Sequence, residues 1–130
     1  MHSKSIRCAG LTAVAMLLCA LTQANAGWIN GTVAQLQALD KITARISTLS
    51  APIGEPIRFG TLEIVIQRCA FRPPEEPPEN VAFLEITDRG HDGSAPRRQV
   101  FSGWMFSSSP AVSAVEHPVY DVTLLDCIID

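Results

Sequence analysis

The sequence is poor in basic residues and contains no basic run. Its 130 residues include 10 Lys and Arg against 13 Asp and Glu, and the formal net charge is −3 at pH 7. Lys4 and Arg7 fall in the first 26 residues, which hold no acid, so residues 27–130 carry 8 − 13 = −5. A domain of this charge lacks the basic surface to which nucleic acids and anionic lipids bind. We therefore expect no nucleic acid among its partners.

Long apolar runs are absent beyond the first 26 residues. Residues 1–7 carry two positive charges, residues 8–21 are almost entirely apolar, and the small residues Ala24 and Ala26 follow. This order is typical of a cleavable secretory signal peptide of the Sec type. A membrane anchor would need about 20 apolar residues. We predict cleavage after Ala26, export to the periplasm, and one domain over residues 27–130 without a transmembrane segment.

Cysteine and histidine are scarce in that domain. Only Cys69 and Cys127 remain of the 4 cysteines, and His91 and His117 of the 3 histidines. Exported proteins mature under oxidising conditions, so the two cysteines predict one disulfide, with a pair of buried free thiols as the alternative. These four residues do not have the spacing of metal ligands. We expect neither a metal nor a cofactor.

Short segments rich in β-branched, aromatic or alternating apolar residues predict an all-β fold. They lie at 34–38, 42–47, 57–59, 62–67, 81–86, 100–106 and 119–128. Six to seven such strands predict a small antiparallel sandwich or barrel. Ile42, Ala44 and Ile46 are expected on the buried face. The even residues from Leu62 to Ile66 are expected to face the core, so Cys69, an odd residue, would face outward in a regular strand. A bulge near residues 67–68, or a position at the sheet edge, would explain this.

Two connections stand out between these segments. Residues 72–80 read Arg-Pro-Pro-Glu-Glu-Pro-Pro-Glu-Asn, and four prolines cannot join a strand ladder, so an exposed polyproline-like loop is expected. Residues 107–118 are a long connection that accommodates at most one short helical turn. Ser109 is its expected N-cap and Pro110 its first helical residue.

Apolar residues in and after the 100–106 strand are candidates for a docking surface. Trp104 and Phe106 share one face of that strand and Met105 takes the other, so either both faces are covered or one contacts a partner. In the 107–118 connection the apolar side of the helical turn either packs on the sheet or docks, with polar residues at its rim. The predicted binding residues are Trp104, Met105, Val112, Val115, Glu116 and His117.

Several motifs of the chain resemble the alphaproteobacterial family known as domain of unknown function 2155. The resemblance spans nearly all of residues 27–130. The motifs are Leu39-Asp40-Lys41, Phe59-Gly60-x-Leu62, Cys69, Arg72-Pro73-Pro74-Glu75, Ala82-Phe83-Leu84, Val100-Phe101-Ser102-Gly103-Trp104-Met105-Phe106-Ser107-Ser108-Ser109-Pro110, Glu116-His117-Pro118-Val119-Tyr120-Asp121-Val122 and Cys127. The resemblance implies an exported envelope protein, and it supplies no catalytic residues.

His117 and Asp121 are the pair most suggestive of catalysis, since serines 107–109 lie nearby in sequence. A hydrolase needs a nucleophile, a base and an orienting acid, but no Gly-x-Ser-x-Gly motif is present. The alternative is that His117 ends a turn and hydrogen-bonds a backbone carbonyl. We predict no catalytic residue and a non-catalytic module that binds an envelope protein. The competing prediction is a small periplasmic hydrolase or transferase that uses His117 and Asp121.

Overall fold

The computed structural model describes residues 27–93 and 96–130 of the chain. The predicted signal peptide, residues 1–26, lies outside the described part. The described residues form eight strands: β1 (Ile29–Asn30), β2 (Val33–Asp40), β3 (Arg45–Pro52), β4 (Ile57–Phe59), β5 (Leu62–Phe71), β6 (Asn80–Asp88), β7 (Arg98–Phe106) and β8 (Tyr120–Ile128). Within these same residues, one 3-10 turn over Pro110–Val112 is the only helical element.

Two antiparallel sheets stack face to face as an open sandwich. The larger has the order β1-β5-β6-β7, with β4 joined to the same edge of β5 as β1, and the smaller has the order β3-β2-β8. The predicted all-β, antiparallel fold is confirmed, in its sandwich form and not as a barrel. The additional strand is β1, whose two residues are too few to produce a periodic signal.

The hydrophobic core lies between the sheets and receives side chains from both. The largest fully buried side chains are Leu36, Leu62, Ile64, Ile66, Leu84, Ile86 and Val122. An aliphatic side chain of this size contributes about 1.5–3 kcal/mol when it is fully buried. The alternation predicted for β2 and β5 is confirmed, since Ala34, Leu36 and Ala38 in β2 face the core, as do Leu62, Ile64 and Ile66 in β5.

The predicted strand at 42–47 is wrong in position and in parity. Residues 41–44 form a turn, in which the Asp40 carboxylate accepts hydrogen bonds from the backbone N–H groups of Ile42 (2.9 Å) and Thr43 (3.2 Å). Ala44 closes the turn at a φ of 56°. The ladder resumes only at Arg45, so Ile42 and Ile46 are 76% and 61% exposed instead of buried. The turn reverses the chain before Ile46, and this places the odd residues of β3 inward.

Two β-bulges aim the cysteines at each other. In β5 the register shifts between Ile66 and Arg68, which confirms the predicted bulge and turns Cys69 inward. In β8 an extra residue, Leu125, stands between the residues paired with β2, and Cys127 turns inward in the same way. The two residues form a disulfide between the sheets with Cα atoms 5.9 Å apart. Neither strand could present its cysteine to the core without its bulge, because side chains alternate along a regular strand.

The loop between β5 and β6, residues 73–79, is named the proline loop here. Its base is closed by the backbone N–H of Arg72, which donates to the Glu79 carbonyl at 3.0 Å. The backbone N–H of Glu76 donates to the Pro73 carbonyl at 3.0 Å and forms a turn inside the loop. Pro74, Glu75, Pro77 and Pro78 are exposed, as the sequence predicts for this segment.

The 107–118 connection runs along the free edge of β7. The helical turn is where the sequence predicts it, but Ser109 makes no side-chain capping hydrogen bond. Ser113 Oγ donates to the Trp104 carbonyl at 2.6 Å, and the backbone N–H of Glu116 donates to the Val100 carbonyl at 3.3 Å. The connection therefore satisfies carbonyl groups that an uncovered edge strand would expose.

Residues 27–93 and 96–130 contain no helix with the length and apolar character needed to cross a membrane.

Candidate functional site

The outer face of the larger sheet carries rows of apolar and aromatic side chains. Directly paired residues of antiparallel strands point to the same face. The pairings across β5, β6 and β7 therefore form two outward rows. These rows are Ala70–Val81–Phe106 and Arg68–Phe83–Trp104.

These rows form a groove together with Trp28, which precedes β1. The groove has a volume of about 300 Å³ and is lined by Trp28, Arg68, Ala70, Val81, Trp104 and Phe106. We name this set the aromatic groove. Ala70 and Val81 are 5% and 8% exposed although they lie outside the core between the sheets. They are covered by the larger side chains around them.

The aromatic side chains of the groove remain partly open to solvent. Trp28, Trp104 and Phe106 are 40%, 42% and 36% exposed. Trp104 packs edge-to-face on Phe83, with ring centroids 5.4 Å apart and an interplanar angle of 75°. This contact holds the indole in place and leaves part of its surface free for another molecule.

Two arginines lie at the aromatic groove: Arg68 lines it, and Arg72 stacks on Trp28 at its border. The Arg72 guanidinium lies 3.9 Å from the centroid of the Trp28 ring and 3.4 Å from a Glu76 carboxylate oxygen. Arg68 is exposed and forms no ion pair with any residue in the described ranges. In a domain with a net negative charge, this groove therefore presents an unpaired cation beside aromatic rings.

A second cleft, of about 680 Å³, adjoins the aromatic groove and shares Trp28 and Phe106 with it. The proline loop forms its other side through Glu76, Pro77, Pro78 and Glu79. The aromatic groove and the proline loop thus lie side by side on one surface of the molecule.

Glu79 fixes the base of the proline loop to the end of β7. Its carboxylate accepts hydrogen bonds from Ser107 Oγ at 3.1 Å, from the Ser108 backbone N–H at 3.2 Å, and from the Ser108 hydroxyl. Partial burial raises the pKa of Glu79, but the hydrogen bonds from Ser108, Asn80 and Ser107 outweigh it and hold the pKa below its usual value. Glu79 is a structural anchor for the loop.

His117 is a second structural anchor, at the start of β8. Its Nδ1 accepts hydrogen bonds from the backbone N–H groups of Val119 (3.0 Å) and Tyr120 (3.1 Å). These bonds require an unprotonated Nδ1, so Nε2 carries the proton and donates to Asp88 at 2.8 Å. The Gly90 backbone N–H and the His117 and Thr61 side chains lower the pKa of Asp88 against the effect of burial. The predicted partner of His117 was a carbonyl, whereas the ring accepts from amides.

The residues proposed for a catalytic triad do not come together. His117 pairs with Asp88, whereas the Asp121 carboxylate accepts the backbone N–H of Val122 at 3.0 Å. Ser107 and Ser108 are hydrogen-bonded to Glu79. Both ring nitrogens of His117 are thus engaged, and neither is available to activate a serine.

The described residues contain no group of three or more His, Cys, Asp or Glu side chains arranged to hold a metal ion.

Comparison with known proteins places this fold in a family. The model of "Uncharacterized protein conserved in bacteria (DUF2155)" matches residues 34–127. The chain belongs to the DUF2155 family. An uncharacterized protein of Rickettsia prowazekii (strain Madrid E) is 33% identical over 98 residues, which are 75% of this chain and 62% of that protein. The chain therefore spans less than two thirds of this relative. No solved structure shows a significant match to the chain.

Of the six predicted binding residues, only Trp104 lines the aromatic groove of this DUF2155 domain. Met105 and Val115 are 2% and 6% exposed and belong to the core, so the structure corrects their assignment to a docking surface. Val112 is 73% exposed whereas Val115 is buried, so two residues expected on one side of the helical turn lie in different environments. A turn of only three residues is too short to align them.

Glu116 and His117 lie outside the groove as well. Glu116 is exposed beside β7, and the His117 side chain is 6% exposed in the anchor described above. Sequence reasoning missed Trp28 and Arg68 as groove residues. The available signal was the run of four apolar residues at 81–84. A strand that is buried on one face needs apolar residues only at every second position, so this run indicates that both faces are covered.

Proposed function

We propose that this DUF2155 domain is exported to the periplasm and acts there as a non-catalytic interaction module that binds an envelope protein through the aromatic groove. The observation that carries the proposal is the exposure of Trp28, Trp104 and Phe106 around one groove. Tryptophan and arginine are the residue types enriched where proteins bind each other tightly. Exposed apolar patches on small domains mark such sites.

Export is supported by the sequence of residues 1–26 and by the pairing of Cys69 with Cys127. Disulfides persist in oxidising compartments. Intact-mass measurement of the periplasmic protein should give a chain that begins at Gly27. A chain that keeps Met1 and fractionates with the cytoplasm would contradict the export part of the proposal.

The binding part is tested by site-specific photo-crosslinking in living cells. A photoreactive amino acid replaces Trp104 in one strain and Leu125 in a second, because both side chains are 42% exposed but lie on different sheets. Crosslinked adducts are expected from position 104 and not from position 125. Adducts are then identified by mass spectrometry, and Trp104→Ala should abolish co-purification of the same protein while Leu125→Ala preserves it. Equal adducts from both positions would argue against the groove.

A further inference from the structure

The aromatic groove has the chemistry of a receptor for a proline-rich, acidic segment. Aromatic-lined grooves are the sites at which proteins bind proline-rich peptides. Arg68, exposed and without an ion pair in the described residues, adds a preference for a carboxylate at one side of the groove. A ligand that offers both proline rings and a glutamate would satisfy the two halves of the site.

The chain itself carries such a segment next to the groove. The proline loop exposes Pro74, Pro77 and Pro78, and between them Glu75 is exposed. Glu76 and Glu79 are bonded within the domain, to Arg72 and to the serines after β7. Glu75 is thus the carboxylate of the loop that is free to meet a cation on another molecule.

The proline loop is closed at its base, and within the described residues none of its carboxylates forms an ion pair with Arg68 of the same chain. Its ends are joined by the Arg72–Glu79 backbone hydrogen bond, and its own turn fixes Glu76 to Pro73. Proline residues and these bonds keep the loop in one shape, so little entropy is lost when it docks. The groove and the loop share Trp28 and Phe106 as a common border.

We infer that the aromatic groove receives the proline loop of a second copy of this chain, and that two copies pair about a two-fold axis. This inference rests on the proposed function, since it names the partner of the same groove. A two-fold interface uses one surface patch twice and therefore requires that patch to be self-complementary. An aromatic half with Arg68 beside a proline half with Glu75 meets this requirement, because each copy donates a loop and accepts one.

The size of the site sets the expected strength of the dimer. One groove and one loop per copy make a small contact compared with the interfaces of obligate dimers, which bury about 2,000–5,000 Å². We expect dissociation constants in the micromolar range. Concentration series from about 1 μM to 1 mM should therefore cross the transition. Sedimentation velocity of the protein purified from the periplasm measures it directly.

The two tryptophans provide an internal probe. The chain has 2 Trp residues, and both line the aromatic groove, so tryptophan fluorescence, excited selectively over the 1 Tyr, reports on this site alone. Acrylamide quenching should fall as the concentration rises through the dimer transition, because the loop of the second copy covers the rings.

Charge reversal identifies the contact. Arg68→Glu and Glu75→Arg should each raise the dissociation constant by roughly tenfold or more, because each places like charges opposite each other. An equimolar mixture of the two variants restores opposite charges at both contacts and should dimerise like the wild type. Arg97→Glu and Glu55→Arg are the controls. They make the same charge changes at exposed residues outside the groove and should leave the dissociation constant unchanged.

A wild-type chain that stays monomeric to 1 mM would overturn the inference while leaving the proposed function intact, provided that crosslinks from position 104 are still observed. A dimer whose dissociation constant is changed by neither charge reversal would also overturn the inference, since its interface would lie elsewhere. A monomer that forms no crosslink from position 104 would remove the proposed function together with the inference. Restored association in the mixture supports it, because folding defects in either variant could not produce that result.

Discussion

The two outer faces of the sandwich differ in character although both are built from alternating strands. On the smaller sheet the outward rows Asp126–Gln35–Ser50 and Thr123–Gln37–Thr48 are polar, and the rows Asp121–Leu39–Ile46 and Ile128–Val33–Pro52 carry aliphatic side chains but no aromatic ring. Gln35 donates a side-chain hydrogen bond to Ser50 at 3.3 Å across this face. On the larger sheet the corresponding positions near the end of β7 hold tryptophan, phenylalanine and arginine.

Folding requires only that the inner faces be apolar. The smaller sheet meets this requirement with Leu36, Val122 and Leu124 inside, and its outward residues are polar or aliphatic without an aromatic ring. The aromatic side chains outside the larger sheet are therefore in excess of what a sandwich of this size needs. This excess is the physical reason for assigning an interaction surface to the larger sheet and none to the smaller.

The largest effect on stability is expected from breaking the disulfide that links the two sheets. Replacing Cys69 and Cys127 by serine removes a crosslink that closes a loop of 58 residues. The chain-entropy model assigns about 4 kcal/mol of stability to such a loop. Urea unfolding at equilibrium measures the loss. Free-thiol titration of the unfolded, unreduced wild type should find no thiol in residues 27–130, and two reactive thiols would show that the bond is absent.

Neighbouring residues of β7 sharpen the contrast between inner and outer faces. Met105 is 2% exposed in the core, whereas Trp104 is 42% exposed outside. Met105→Ala should cost about 2–5 kcal/mol because it leaves a cavity. Trp104→Ala should cost less, because the indole is only partly buried; its edge-to-face contact with Phe83 adds about 0.5–1.5 kcal/mol to that burial. Thermal unfolding of both variants tests this order, and a larger loss for Trp104→Ala would place the indole in the core.

Acid should loosen the proline loop before it unfolds the sandwich. The folded-state pKa of Glu79 is lowered, so its contribution to stability is complete above the pKa it has in the unfolded chain and is lost as pH falls through the folded value. Glu79→Gln should be less stable than the wild type at pH 7, by less than Met105→Ala. The unfolding midpoints of Glu79→Gln and the wild type should converge below about pH 4. Glu55→Gln, an exposed control, should match the wild type at both pH values.

The smallest effect is expected on the polar face. Thr48→Ala removes an exposed hydroxyl from β3 and should change stability by less than about 0.5 kcal/mol. It should also leave acrylamide quenching of the tryptophans unchanged, since it lies on the other sheet. A change in quenching would mean that the two outer faces are coupled.

Sequence patterns predicted the inner faces well and the outer groove poorly. Leu62, Ile64 and Ile66 repeat with the period of a strand, and the broken parity at Cys69 located a bulge. The matching bulge at Leu125 left no such signal, because Leu124 and Leu125 are equally apolar. Ile42 and Ile46 continued an apolar alternation across a turn that the Asp40 carboxylate closes. Periodicity alone does not distinguish these cases.

By itself the sequence determined the all-β class and the inward residues of β2 and β5, and it predicted the pairing of the only two cysteines after residue 26. These follow from local alternation and from composition, which need no knowledge of neighbours. Only the tertiary structure decided that Trp28, Arg68 and Trp104 meet, since they come from separate strands and connections whose register brings them together. It also decided that His117 pairs with Asp88, 29 residues away, and not with the nearby Asp121. Long-range contacts depend on sheet order, and sheet order is set by the packing of the whole domain.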